Sequence, residues 1–198
     1  LALWDRPLRE KPKAPVFVFV GRLVWWKAVD LLLEAMDQVP DADLRIIGDG
    51  PERARLEAQA AAGRAASRIR FEGFRPQTEI ADALAGATAL VLPSMRECGG
   101  AVILEAFACR TTAIATRWGG PEDYVTPETG FLVEPSGRDA FIRGLSEAMR
   151  ALAGDPARAR TMGEAGRLRA ESAFTWEAKA RRMVEIFGEV LASPDWQS

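Results

Sequence analysis

Two glutamates eight positions apart, Glu97 and Glu105, bracket the run Cys98-Gly99-Gly100-Ala101. An apolar stretch, Ala89-Leu90-Val91-Leu92, precedes them and ends in Pro93-Ser94, and a helical pattern opens near Gly100. Unpaired amides at a helix start attract anions, and glycines let a phosphate come close to the backbone. A carboxylate repels phosphate but accepts hydrogen bonds from hydroxyls. An anion cradle with an acid at each end therefore suits a ligand that joins phosphate to polyols, as a nucleotide sugar does.

A second cluster follows the apolar run Val16–Val20, where Gly21 is succeeded by Arg22 and Lys27. A guanidinium can hold phosphate oxygens in pairs, and an ammonium acts as a point charge. Each cation about 4 Å from a phosphate charge contributes roughly 4 kcal/mol at an effective dielectric of about 20. That attraction grows as a leaving diphosphate gains charge, so the pair can lower a barrier as well as bind. The plainer reading of Arg22 and Lys27 is two solvated loop residues. For Glu97 it is helix capping, worth about 0.3–1 kcal/mol, and for Glu105 a surface ion pair. Neither plain reading of the acids explains the two glycines between them.

Helices and strands must carry these groups to one place. Candidate strands are 16–20, 44–47, 69–71, 89–92, 113–115 and 131–133, and they alternate with helical patterns at 29–38, 52–62, 77–85, 101–108, 139–153, 156–171 and 176–192. Val16–Val20 is apolar on both faces, as in a parallel sheet covered by helices. The alternation predicts an α/β domain, a Rossmann-like doubly wound parallel sheet of about six strands with helices on both faces. In such sheets ligands bind outside the carboxyl ends of the strands. Gly21-Arg22, Gly48-Asp49-Gly50-Pro51, Gly73-Phe74-Arg75, Pro93 to Glu105 and Thr116 to Asp123 all fall at those ends. Residues 1–15, with Pro7 and Lys11-Pro12-Lys13, read as a leader or interdomain linker, 16–192 as the domain and 193–198 as a tail.

Composition narrows the partners. With 198 residues and 48% hydrophobic content the chain can bury a sizeable core, and its net charge of −2 disfavours nucleic acid or an anionic membrane as the main partner. No run approaches the roughly 18–20 apolar residues of a membrane span, and no secretory signal is evident. Two cysteines, Cys98 and Cys109, form no disulfide framework. A cytoplasmic setting follows as the expectation, with a peripheral place at the inner face of the membrane compatible with it. The absence of histidine removes Ser-His, Cys-His and histidine-metal chemistry.

The chain resembles the C-terminal, donor-nucleotide domain of GT-B glycosyltransferases, most closely glycosyltransferase family 4. The residues that carry the resemblance are Gly21-Arg22-Leu23 with Lys27, Leu44 through Pro51, Phe71-Glu72-Gly73-Phe74, Pro93-Ser94, the acid pair ending Leu104-Glu105-Ala106, Trp118 through Asp123, Thr129 through Val133 and Phe174-Thr175-Trp176. By that resemblance Arg22, Lys27 and Glu97 are catalytic, the cations gripping the donor diphosphate. Gly21, Cys98, Gly99, Gly100, Ala101 and Val102 border sugar and phosphates, and Glu105 takes the ribose. Gly73, Phe74 and Arg75 border the base. The implied reaction is sugar transfer from a nucleoside diphospho-sugar such as a UDP-sugar to a glycan, lipid or small molecule, in a bacterial hexosyltransferase-type enzyme. It retains anomeric configuration and needs no cofactor or metal. One half of a GT-B fold fits this length, so an N-terminal acceptor-binding domain is the implied partner, and the chain alone is expected to turn over poorly.

Four positions depart from the family pattern: Ala28 and Arg110 stand where glycine is usual, Thr112 where proline is usual, and Gly99 where an aromatic is common. Arg110 is expected to hold a left-handed backbone. Two other readings fit the same fold, a sugar-nucleotide epimerase half-domain and a non-catalytic nucleotide-binding or assembly module. Asp41-Ala42-Asp43 resembles a metal-binding pair but precedes a strand, at the edge opposite the site. Cys98 reads as a small loop filler, and the arginines Arg158, Arg160, Arg167 and Arg169 read as solvated helix faces.

Overall fold

The computed structural model describes residues 2–6 and 14–192. Six strands form one sheet: β1 (Val16–Val20), β2 (Asp43–Ile47), β3 (Ile69–Gly73), β4 (Ala89–Leu92), β5 (Thr112–Thr116) and β6 (Gly130–Val133). All pairings are parallel and the order is β3-β2-β1-β4-β5-β6. The chain thus builds outward from β1 to one edge, returns, and starts again at β4 beside β1. The switch in direction lies between β1 and β4, and it opens a crevice at their carboxyl ends.

Among the described residues eight α-helices join and cover the sheet: α1 (Val29–Met36), α2 (Arg53–Ala62), α3 (Gln77–Ala85), α4 (Ala101–Ala108), α5 (Gly120–Tyr124), α6 (Arg138–Gly154), α7 (Pro156–Ala173) and α8 (Trp176–Ala192). Helix α1 packs on α2 and α6, and α4 packs on α3 and α7. Every residue of β4 and β5 is buried, which is why those strands read as unbroken apolar or small-residue runs. Phe17, Phe19, Phe107 and Phe141 are the largest fully buried side chains. Helix α8 differs: only Ala178 is buried, and Met183, Val184, Phe187, Val190 and Leu191 are exposed.

The expected strands and long helices are present, with ends shifted by one or two residues. The five-residue α5 was not anticipated. Gly-Gly-Pro opens it and it completes little more than one turn, too short to carry a helical period. Of the expected leader, residues 2–4 form a 3-10 turn, Trp4 packs against the core, and the Arg6 guanidinium lies 2.9 Å from the Asp82 carboxylate. Residues 7–13 and 193–198 lie outside the described residues. Arg110 has φ 56° and Ala28 φ 49°, both in the left-handed region where glycine is favoured.

The arginine-rich helices correct an expectation. Arg167 is 7% exposed rather than solvated. Its Nη1 donates to the Ala108 carbonyl at the end of α4 (2.5 Å), its Nε donates to Glu171 (2.6 Å), and Asp5 lies 3.3 Å away. Arg169 donates to the carbonyls of Asp123 and Tyr124, each at 2.8 Å, and Arg158 sits 4.9 Å from the Phe131 ring centroid. Gly163 and Gly166 on α7 lie against Arg110 and Phe107 at the end of α4, an approach close enough to enclose Arg167, whereas Arg158 and Arg160 are exposed, as expected. Arg167→Ala is expected to destabilise the domain by about 2–3 kcal/mol by stranding a buried carbonyl, lowering the melting temperature by about 5–10 °C. Arg167→Lys should recover little, because an ammonium lacks the fork that spans carbonyl and carboxylate. Thermal denaturation of the three proteins checks this.

Candidate functional site

The floor of the site is backbone. Gly21, Gly48 and Gly73 sit in a row at the carboxyl ends of β1, β2 and β3. The Gly21 amide donates to Ile47 O (3.0 Å) and the Gly48 amide to Gly73 O (2.8 Å). Gly48 has φ 138°, and a β-carbon there would lie 1.9 Å from the Gly21 carbonyl oxygen. No larger residue fits, so strands and loops close up and leave a shelf free of side chains. Phe74, 83% exposed, stands at the far end of the shelf. Arg75 beside it is held by Glu79 (3.4 Å) and approached by Glu72 (3.8 Å). From β3 to β4 is three strand spacings, about 14 Å, the reach of an extended nucleoside diphospho-sugar.

At the near end the predicted residues meet. A 3-10 turn over Trp25–Lys27 is pinned by the Met95 amide donating to Trp26 O (2.8 Å), and it turns Lys27 toward the end of β4. The Lys27 Nζ lies 2.5 Å from Glu97 Oε2, with both side chains mostly buried. The other carboxylate oxygen of Glu97 accepts from the Gly100 amide at 3.1 Å. Gly100 caps α4 with φ 65°, and the amides of Ala101 and Val102 find no acceptor among the described residues. Two donors thus converge on one carboxylate at the mouth of a helix whose own first amides stay free. A second loop fixes the arrangement: Glu97 O accepts from the Gly120 amide (3.3 Å), and a β-carbon on Gly119 would fall 2.3 Å from the same oxygen.

The remaining groups stand on the loop after β1 and on α4. Arg22 is exposed and has no acidic partner among the described residues. Glu105 is half-buried on α4, and no described residue hydrogen-bonds or pairs with its carboxylate; burial raises its pKa above the ordinary glutamate value. Raising the folded-state pKa means that ionised Glu105 opposes folding: its contribution is fully favourable below the unfolded pKa, about 4.3, and is lost as pH rises through the folded value. Glu105→Gln is therefore expected to melt at a higher temperature than the parent at pH 7 to 8, with the difference closing below about pH 4. A carboxylate kept in place at the expense of stability is what a binding group looks like.

Several contributors escaped the sequence reading. Arg96 lies over the Trp25 ring at 5.2 Å from its centroid and has no acidic partner among the described residues. Its signal was a third cation next to an acid, inside an irregular segment with no period to orient it. Ser94 and Thr116 bury hydroxyls that find no partner among the described residues. They are close neighbours, since β4 and β5 pair Leu92 with Ala115. The Tyr124 phenol is raised by burial first and then by Asp123, Cys98 and Glu97, which places it near the loop. Cys98 and Gly99 are exposed, so Cys98 is not the loop filler expected. Cys109 is buried, its thiol pushed up to about 12. Asp43 opens β2, at the opposite edge of the sheet from this site.

The chain is similar to known proteins over most of its length. Residues 2–169 match the model of the glycosyl transferases group 1 family. The alpha-maltose-1-phosphate synthase of Mycolicibacterium smegmatis is 35% identical over 188 residues, covering 90% of this chain and 49% of that protein. The GDP-mannose-dependent monoacylated alpha-(1-6)-phosphatidylinositol monomannoside mannosyltransferase of Corynebacterium glutamicum is 36% identical over 183 residues, covering 87% and 46%. The chain therefore spans about half the length of the curated relatives it matches. Sucrose-phosphate synthase from Thermosynechococcus elongatus superposes with a TM-score of 0.80 at 34% identity, covering 91% of this chain and 47% of that one. HepE of Anabaena, solved with UDP and glucose, superposes at 0.78; with 23% identity and coverage of 89% and 49%, it shows the fold alone. With six parallel strands in this order and a match across most of its length, the chain belongs to the glycosyl transferases group 1 family, whose domain is of the GT-B type.

Proposed function

We propose that this domain binds the nucleoside diphospho-sugar donor of a retaining glycosyltransferase, of family 4 type, that needs no metal. The observation that carries the reading is the Glu97 carboxylate held between Lys27 and the Gly100 amide at the start of α4, with Glu105 unpartnered one turn further on. Lys27, Arg22 and the free amides of Ala101 and Val102 supply positive charge for a diphosphate. A bound diphosphate competes with Glu97 for Lys27 and releases the carboxylate to accept from sugar hydroxyls. Glu105 accepts from the ribose diol, and Phe74 with Arg75 borders the base. As the bond to the anomeric carbon breaks, charge builds on the β-phosphate, where cations and amides are already aimed.

Support for a nucleotide sugar comes also from a relative whose name specifies GDP-mannose. The exposed apolar face of α8 is surface that we assign to an N-terminal acceptor-binding domain, which closes the cleft over the donor. Calorimetry of the chain against UDP-, GDP- and ADP-sugars tests the reading. One of these should bind, release heat and raise the melting temperature. A folded domain that binds none of them has no donor site.

A further inference from the structure

We propose that a cleft beside the donor loop, between α4, α5 and the start of α8, is a glycan subsite that seats a neutral pyranose ring. The cavity measures about 640 Å³ and is lined by Leu104, Asp123, Tyr124, Phe174, Trp176 and Lys179. That volume lies within the roughly 300–1,000 Å³ of small-molecule sites.

Its walls are built and its polar groups are unspent. Tyr124 and Phe174 meet edge to face, ring centroids 5.0 Å apart at 88°. Arg169 lies 5.5 Å from the Phe174 centroid and ties the carbonyls of Asp123 and Tyr124 to α7, so the aromatic wall is braced from behind. Trp176 is 89% exposed. The Asp123 carboxylate and the Tyr124 hydroxyl make no hydrogen bond or ion pair among the described residues. Lys179 has no acid partner there either; its ammonium rests 4.6 Å from the Phe174 centroid.

These features select among occupants. A purely apolar partner would bury Asp123 and Lys179 without hydrogen bonds, at a cost of about 1–3 kcal/mol for each group. A sugar presents one face of C–H groups to stack on indole and a rim of hydroxyls that satisfy a carboxylate and an ammonium together. The acid and the amine cancel, which favours a neutral ring over a phosphorylated or uronic one. Position assigns the role. Leu104 directly precedes Glu105 on α4, and α5 begins at Gly120, whose amide holds the Glu97 carbonyl. The apolar stripe of α8 begins at Trp176, so the cleft opens where a second domain would meet this one. A glycan seated there lies beside the transferred sugar, as an acceptor must; that role rests on the donor reading above, whereas the binding itself does not.

Titration of the ¹⁵N-labelled chain with maltotriose, and separately with α-1,6-mannobiose, tests this through the tryptophan indole NMR signals. The Trp176 signal, identified by its loss in Trp176→Phe, should move saturably with at least one probe and do so equally when UDP is present. Asp123→Asn should weaken that binding by about tenfold, the loss of a charge-assisted hydrogen bond, with an unchanged melting temperature and unchanged response to UDP. A Trp176 signal that moves with neither probe overturns the proposal, as does binding that Asp123→Asn and Tyr124→Ala leave intact. Glycan binding without any response to nucleotide would leave the subsite standing and remove the donor reading instead.

Discussion

Lys27→Ala in the full-length enzyme is expected to lower kcat/KM by about 10²- to 10³-fold, the loss seen when one donor to a developing oxyanion is removed. The ammonium has two roles that alanine abolishes together. It neutralises Glu97 from 2.5 Å inside a mostly buried pair. In the donor complex proposed above it faces the diphosphate, where one charge about 4 Å away is worth roughly 4 kcal/mol. The first role affects the fold and the second the reaction, and the two separate experimentally. Lys27→Ala leaves the Glu97 carboxylate with the Gly100 amide as its one remaining partner among the described residues, so the melting temperature should fall. Lys27→Ala/Glu97→Gln removes the stranded charge and should recover most of that stability while recovering none of the rate. Arg22→Ala, which breaks no ion pair among the described residues, should lose rate with no change in melting temperature. Steady-state kinetics with the donor identified by calorimetry, beside thermal melts, decides the matter. Rates that survive both single substitutions would remove the cations from the mechanism.

Much of this site was legible in the chain because it is local. Glu97, Gly100 and the first turn of α4 lie within a few residues of one another, and chemistry that depends on a helix start can be read from a strand, a glycine pair and a helical period. That Lys27 would reach β4 required topology, yet an alternating α/β pattern permits few topologies, so β1 and β4 could be expected to lie side by side. The Lys27–Glu97 contact itself was not foreseen. Each group is assigned to ligand by the sequence reading, whereas in the structure the two opposite charges, both mostly buried, pair with one another. Contacts between loops were the hidden part. Nothing near Arg96 says that its guanidinium lies over Trp25, and nothing near Arg167 says that α7 comes close enough to α4 to bury it. Both outcomes depend on how closely two helices or loops approach, which small residues elsewhere in the chain determine.

The same logic explains why the cleft beside the donor loop left no mark on the sequence. Leu104, Tyr124 and Trp176 come from three separate elements, and each taken alone reads as ordinary core or surface. Only α7, by bringing Phe174 against Tyr124, turns them into one wall. Arg169 is again the tie, and its backbone hydrogen bonds make α5 a rigid support for both clefts.

That rigidity leads to the second large effect, at Gly119. Its φ of 64° with ψ −137° is a conformation that glycine alone adopts readily, and a β-carbon there would lie 2.3 Å from the Glu97 carbonyl oxygen. Gly119→Ala therefore combines backbone strain of about 1–3 kcal/mol with overpacking of about 1–3 kcal/mol. The melting temperature should drop by about 5–15 °C. The clash falls on the residue that carries the site, so relief by movement of Glu97 separates its carboxylate from Lys27 and from the Gly100 amide. Nucleotide-sugar affinity should fall by about tenfold even well below the melting transition, since a displaced Glu97 carboxylate no longer accepts from the sugar hydroxyls, and a hydrogen bond to a charged group is worth about that much. Gly137→Ala supplies the comparison: φ there is 114°, yet the added carbon meets nothing within 4 Å. It should show strain alone, about 1–3 kcal/mol, with donor affinity unchanged. Equal loss of affinity in both variants would mean that the 97–100 segment does not hold the donor, whereas loss confined to Gly119→Ala ties binding to the position of Glu97.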